Sequence, residues 1–299
     1  MNRIITHANC PDGIMSALIL ARVFPDAKVE FVDYTQLRAL EPAPYTIFAD
    51  IAPSTRLDEW RAEGAVVLDH HHTAKEVTTS FRHHLYADAQ ARPGVSGALL
   101  ALEYATEAGP SWPYYADEFI RWRRYAELVG IRDTWQRASH DWKNACELSA
   151  ALMFWGFERL RLSFTQHRLS VGSVLLENRA REVEKAVETG FRFEIQLGGA
   201  PVRVLAFEGA GLTSDAPDVA KDVDVVVGWH IERDQTIYSM RSRGHVDVSE
   251  IAKRNGGGGH KAAAGFTISN VDVAGAPPLV EDVSRGTPIA RWFRAVSEP

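Results

Sequence analysis

The chain has 299 residues, enough for two domains that each bury a core, and its 45% hydrophobic and 24% charged residues exclude a disordered protein. A net charge of -6 argues against a protein that coats long nucleic acid, because such binding needs many cations facing phosphates; a small anionic substrate held by a local basic patch stays open. Two cysteines, Cys10 and Cys146, cannot make a disulfide framework. They fit a reducing compartment, and with no apolar signal region at the start and no transmembrane-length apolar run, a cytoplasmic location without a membrane partner is expected.

Short apolar runs alternate with helix-like segments. Ile4 to Thr6, Val29 to Val32, Thr46 to Ala49 and Ala65 to Leu68 read as strands, and Ile14 to Val23 carries apolar residues at helical spacing and ends before Pro25. The alternation predicts an α/β domain with a mainly parallel sheet, whose ligands bind beyond the carboxyl ends of the strands. Chemistry-bearing residues collect there. His7 follows the first strand, Asp50 the third and Asp69-His70-His71-His72 the fourth. Either these histidines form a polar loop or they ligate a metal, with a carboxylate orienting an imidazole from behind. Ser54 is expected to cap a helix over Ser54 to Glu63, which leaves Asp50 free for function. His7, Cys10 and Asp12 fall within six residues, just ahead of a helix amino terminus that favours anions.

These segments resemble the opening motifs of the DHH phosphoesterase superfamily. The usual first motif has a His followed by two Asp residues one position apart. Here Asp12-Gly13 matches the second Asp and its glycine, while Cys10 stands in place of the first, in an Asn-Cys-Pro-Asp-Gly string that a subset of the superfamily shares. Cys10 is either a metal ligand, which would move preference toward zinc or iron, or a small buried residue beside a weakened metal position.

Further along, Thr78 to Tyr86 reads as a strand in which His83 and His84 are structural. Pro93-Gly94-Val95-Ser96-Gly97 is a turn with Ser96 capping the next helix, and Trp112 to Val129 is a helix that exposes Arg121, Arg123 and Arg124. Asp133, within Gly130-Ile131-Arg132-Asp133-Thr134-Trp135, looks like the superfamily's fourth acidic motif. Ala150 to Arg168 and Val171 to Thr189 read as helices, and beyond Gly190 four strands begin a smaller α/β domain: Phe191 to Leu197, Val202 to Phe207, Val223 to His230 and Thr236 to Arg241. Its most distinctive stretch is Gly256-Gly257-Gly258-Gly259-His260-Lys261, where glycine amides can surround an anion; Arg241 and Arg243 lie upstream. This stretch resembles the DHH-associated carboxyl-terminal domain.

The expected organisation is a catalytic domain over residues 1–168, a linker helix over 169–190 and a substrate-binding domain over 191–299. The resemblance implies metal ligands His7, Asp12, Asp50, His70 and Asp133, with Cys10 undecided and Asp50 bridging two ions. It further implies that His71 faces the substrate phosphate or leaving oxygen, that Asp69 orients His70, and that Arg241, Gly257, Gly258, Gly259 and His260 hold substrate, with Arg243 and Lys261 as further candidates. The implied cofactor is a divalent ion, Mn2+ first, with Mg2+, Zn2+ or Fe2+ open. The implied activity is hydrolysis of short oligonucleotides or linear dinucleotides to mononucleotides by metal-activated water, similar to oligoribonucleases of the superfamily, in a monomer or homodimer. A phosphomonoesterase acting on a bisphosphorylated nucleotide and a nucleotide-binding sensor with a degenerate metal site are the alternatives.

Overall fold

The computed structural model describes residues 2–88, 91–108, 116–197, 199–243 and 245–269. The chain divides into two compact units between Leu176 and Glu177.

The first unit opens with β1 (Arg3–His7), α1 (Pro11–Val23), β2 (Lys28–Val32), α2 (Tyr34–Arg38), β3 (Thr46–Ala49), α3 (Leu57–Ala62), β4 (Val66–Asp69), α4 (Lys75–Thr79) and β5 (His83–Tyr86). The strands form one parallel sheet in the order β2-β1-β3-β4-β5. Alternation along the strands sends Ile4, Ile47, Val66 and Leu68 into one core and Ile5, Phe48 and Val67 into another, so both faces are covered, as a parallel sheet requires. Since β2 and β3 lie on opposite sides of β1, the chain reverses direction across the sheet at β1, and the crevice beyond the carboxyl ends of β1 and β3 is where such sheets bind ligands.

The first core is completed by α1 together with α5 (Gly97–Ala108), α6 (Ala116–Asp133) and α7 (Trp142–Leu162). Then follow α8 (Gln166–Leu169) and α9 (Val171–Thr189), and the division between units falls inside α9. The second unit holds β6 (Phe191–Leu197), β7 (Ala200–Glu208), α10 (Ala216–Val219), β8 (Val225–Glu232), β9 (Gln235–Ser242), α11 (Val248–Arg254), β10 (Gly258–His260) and β11 (Ala263–Ser269). Its mixed sheet has the order β10-β11-β9-β8-β7-β6, antiparallel except between β7 and β8. Val204, Val227 and Met240 pack on one face with Ile251 of α11; Leu205, Phe207 and Val226 pack on the other with Val183 and Val187 of α9.

Four local expectations change. Thr78 to Tyr86 is not one strand: α4 takes Thr78, two turn bonds follow (Ser80 N to Val77 O, Phe81 N to Thr78 O), and only His83–Tyr86 is extended. Burial of Thr78 and Phe81 against the sheet outweighs their strand propensity. Ser54 caps nothing, since Ile51 and Ala52 stay buried and α3 starts only after Arg56, whose backbone is left-handed (φ 55°). The helix expected from Trp112 is described from Ala116, with Trp112 outside the described residues, and runs past Val129 to Asp133. The one expected from Ala150 to Arg168 starts at Trp142, kinks at Gly156 (φ 66°) and ends at Leu162. Among the described residues no helix is long and apolar enough to cross a membrane.

Candidate metal centre

Three strand ends deliver polar groups to the site. His7 is the last residue of β1, Asp50 immediately follows β3, and Asp69 is the last residue of β4, with His70 and His71 next. Asp12 stands in the first turn of α1, and Asp133 closes α6. A carboxylate at a helix carboxyl end opposes the helix dipole, so Asp133 is placed against local preference. Asp50 is likewise held in a left-handed conformation (φ 60°), uncommon outside glycine.

The carboxylates are buried, Asp12 completely and Asp50 and Asp69 at 1% exposure, so each needs a partner. His70 Nε2 lies 3.1 Å from Asp50 Oδ1, 3.4 Å from Asp12 Oδ2 and 3.5 Å from Asp133 Oδ2. Three acids thus converge on one point. Asp12 is also anchored by the amino terminus of α5, accepting from Gly97 N at 2.6 Å and Ala98 N at 2.7 Å. That end of α5 can come so close only because residue 97 is glycine. A Cβ there would lie 2.5 Å from Asp50 Cβ and 2.7 Å from Asp50 Cα. Gly97→Ala is expected to cost about 1–3 kcal/mol of stability by overpacking and to weaken metal binding as Asp50 shifts, read by thermal denaturation and manganese titration.

The electrostatics follow from this crowding. Burial, then the charge of Asp12, hold the Asp50 carboxyl well above the ordinary carboxylate range, and the same two causes push Asp133 up to about 6. Burial also opposes the charge on Asp12, but hydrogen bonding to His70 and to α5 keeps it below its ordinary value. His70 pays a burial penalty of its own, outweighed by Asp12 and Asp50, and rises to about 11. Burial, then His71, lower His7. Burial, then Asp50 and Asp12, push the Cys10 thiol up.

The donor set fits a divalent metal. Asp50 Oδ2 is buried with no hydrogen-bond partner among the described residues, and His7 Nδ1 lies 3.9 Å from it. Ligand atoms of His7, Cys10 and Asp50, of Asp50, His70 and His71, and of Asp12, His70 and Asp133 each gather within 4.8 Å of one another. Every group expected to hold metal is therefore in these three overlapping sets. Carboxylate oxygens and imidazole nitrogens predominate, and Cys10 is the one sulfur.

One expected role changes. Asp69 does not orient His70: its Oδ1 meets His71 Nδ1 at 2.7 Å and His71 N at 3.0 Å. The turn that bends residue 71 back over Asp69 sends residue 70 in toward the acids instead. His71 is raised because Asp69 outweighs the burial penalty, and with Nδ1 engaged its Nε2 is the end left for other chemistry. His72 starts a short exposed turn.

In the second unit, Gly258-Gly259-His260 is not an open loop but the short strand β10, paired with Gly265, Ala264 and Ala263. Gly259 has φ 138°, and a Cβ on it would lie 2.5 Å from Ala263 O, so close strand approach accounts for that glycine. Register places Arg241, Ala263 and His260 in one row across β9, β11 and β10; the His260 side chain is outside what is described. The Arg241 guanidinium is half-buried, with Nη1 donating to Met240 O at 2.9 Å and Ser239 Oγ at 3.3 Å. Arg243 is turned elsewhere: its Nη2 donates to Pro217 O in α10 at 2.7 Å and to Ala220 O just after it at 3.1 Å. Lys261 is exposed in the turn between β10 and β11.

The family model described as the DHHA1 domain matches residues 215–283. The second unit therefore carries a DHHA1 domain. No curated protein matches it. Among solved structures, the chain is similar to a pGpG-specific phosphodiesterase, PggH, from Vibrio cholerae, at 13% identity and TM-score 0.48 over 91% of this chain and 95% of that one. It is also similar to an exopolyphosphatase-related protein from Bacteroides fragilis, at 13% identity and TM-score 0.48 over 88% and 85%. Likeness at this level adds nothing to the assignment of an activity.

Sequence reasoning missed three features of the site: the α5 amides on Asp12, the contact of Gly97 with Asp50, and Tyr34, whose half-exposed ring lies 5.3 Å from that of His7. The Ser96-Gly97 pair at a helix start is the sequence signal that could have found the first two.

Proposed function

We propose that this protein is a metal-dependent phosphoesterase of the DHH superfamily, a cytoplasmic hydrolase that cleaves the phosphodiester bonds of short oligonucleotides or linear dinucleotides to give mononucleotides. The observation that carries the reading is the convergence of Asp12, Asp50 and Asp133 on His70 Nε2, with the orphaned Asp50 Oδ2 beside His7. His7, Asp12, Asp50, His70 and Asp133 would hold the metal. Their oxygen and nitrogen donors favour manganese, with Cys10 as the residue that would shift the preference toward zinc or iron. When bound, a divalent ion lowers the pKa of an attacking water and stabilises charge on the phosphoryl oxygens.

The protein's own groups do the rest. Asp69 fixes the His71 ring through Nδ1 and favours its protonated form, from which Nε2 can donate a proton to the leaving oxygen. Arg241, charged and desolvated on one side, is assigned to a substrate phosphate. The partners are short oligonucleotides or small nucleotides, bound by a monomer or homodimer. His71→Ala is expected to reduce kcat by about 100-fold or more while leaving metal content unchanged, measured by steady-state kinetics and elemental analysis.

The test of the function is product identification. The purified protein with manganese is offered short RNAs and DNAs, linear and cyclic dinucleotides, a bisphosphorylated nucleotide and pyrophosphate, with products read by mass spectrometry. Mononucleotides from the short or linear substrates are expected. Tight nucleotide binding without any product would replace the enzyme with a sensor.

A further inference from the structure

Four side chains next to Asp133 form a layered cluster with no part in the metal centre. The Arg132 guanidinium lies 4.4 Å from the centre of the Trp135 ring and 5.3 Å from that of Trp142. Arg137 lies 5.0 and 5.9 Å from the same two rings, and the rings are 6.1 Å apart at 35°. Buried tryptophans elsewhere in the chain serve the cores: Trp60 is 1%, Trp122 5% and Trp229 9% exposed. Trp135 is 48% exposed, and its backbone is left-handed (φ 54°), which is strained for a bulky residue. A tight turn keeps it there, with Gln136 N donating to Ile131 O at 3.0 Å and Arg137 N to Trp135 O at 2.7 Å. The turn is joined directly to the centre, since Trp135 follows Asp133 by two residues and its Cα lies within about 7.6 Å of that of Asp133.

An indole presented to solvent and flanked by guanidiniums offers a flat π-surface in a positive field. This matches a planar, anionic ligand, and a nucleobase carried by a phosphate is that chemistry. A second arginine-tryptophan cluster, Trp155 with Arg159 and Arg168, differs in kind: its indole is spent on a hydrogen bond to Arg168 O at 2.8 Å, and it has no acid of the centre beside it.

We infer that Trp135, backed by Arg132, Arg137 and Trp142, is a stacking platform for the base of the nucleotide whose phosphate is bound at the metal centre. The inference rests on the nucleotide-hydrolase reading above and assigns it a base-binding subsite. Stacking of this kind tolerates any base, so the platform selects nucleotides over other phosphate esters without selecting among bases.

The test compares adenosine monophosphate with ribose 5-phosphate by calorimetry on the full chain with manganese present. Adenosine monophosphate should bind about tenfold more tightly or better. Trp135→Ala should erase that ratio while leaving ribose 5-phosphate unaffected, and Trp135→Phe should restore most of it. Equal binding of the two probes by the wild type, or a ratio that survives Trp135→Ala, would overturn the platform. Arg137→Gln, which keeps the ring in place, should reduce the ratio without abolishing it, and an unchanged ratio would remove the guanidinium from the account. A protein that keeps the base preference but hydrolyses no phosphodiester would fail the proposed function and not the platform.

Discussion

Asp50→Asn is expected to leave a folded protein that no longer binds a divalent metal at the centre and turns over more than about 100-fold slower. Asp50 belongs to two of the three sets of ligand-capable groups and shares His70 with the third. Groups that only support metal ligands already cost about 10–100-fold when replaced, which sets the lower bound. The asparagine keeps the fold for two reasons. It tolerates the left-handed backbone at φ 60°, and its Oδ1 can still meet His70 Nε2, which now lies 3.1 Å from Asp50 Oδ1. It also removes a buried negative charge that burial and Asp12 disfavour, so the melting temperature without metal should hold or rise. Turnover equal to wild type would refute the central place given to Asp50; a collapse of the fold would refute its electrostatic account.

The second large effect is on stability. Stripped of metal by a chelator, the protein should lose thermal stability as the pH rises from about 4 into the alkaline range, and added manganese should reverse the loss most strongly at the alkaline end. For Asp133 the carboxyl is pushed from 3.8 up to about 6, so the folded state binds more protons than the unfolded one between those values and stability falls across that window as pH rises. His70 is pushed from 6.5 up to about 11, and its stabilising contribution is complete below 6.5 and lost as pH rises through about 11. Asp12 acts oppositely: its lowered value gives stability that is present above 3.8 and lost only in stronger acid, below this range. Metal binding requires these groups deprotonated, so it gains where the proton leaves. Melting temperatures across pH, with chelator and with manganese, give the comparison, and a chelated protein that gains stability toward alkaline pH would contradict the account.

Much of this centre could be read from the sequence because β-strands are short and end abruptly. Three apolar runs closing on His7, Asp50 and Asp69 put the sheet edge in view before any coordinate, and the parallel α/β architecture follows from the alternation of strands and helices. The unreadable part lay in side-chain direction and in contacts distant along the chain. Asp69 and His70 are neighbours, but the turn after β4 directs the carboxylate back to His71 and the His70 ring toward the acids. Asp12 and Gly97 stand 85 residues apart, and no local pattern shows that one caps the helix opened by the other. The Thr78 to Tyr86 error has the same root: β-branched and aromatic residues suited a strand, while burial beneath the sheet favoured a helical turn. Residues 256–261 read as an anion-binding loop because glycines have the same appearance in sequence whether they surround a ligand or admit another strand.

The central claim is that the three converging acids hold a divalent cation in a place where His70 otherwise carries the positive charge. Calorimetric titration of manganese into chelated protein near neutral pH, repeated in buffers of different ionisation enthalpy, tests it most directly. The account predicts saturable binding whose heat depends on the buffer, because a proton leaves His70 as the metal enters, and it predicts that both the binding and the proton release vanish in Asp50→Asn. No saturable binding, or binding with a heat that does not depend on the buffer, would contradict it.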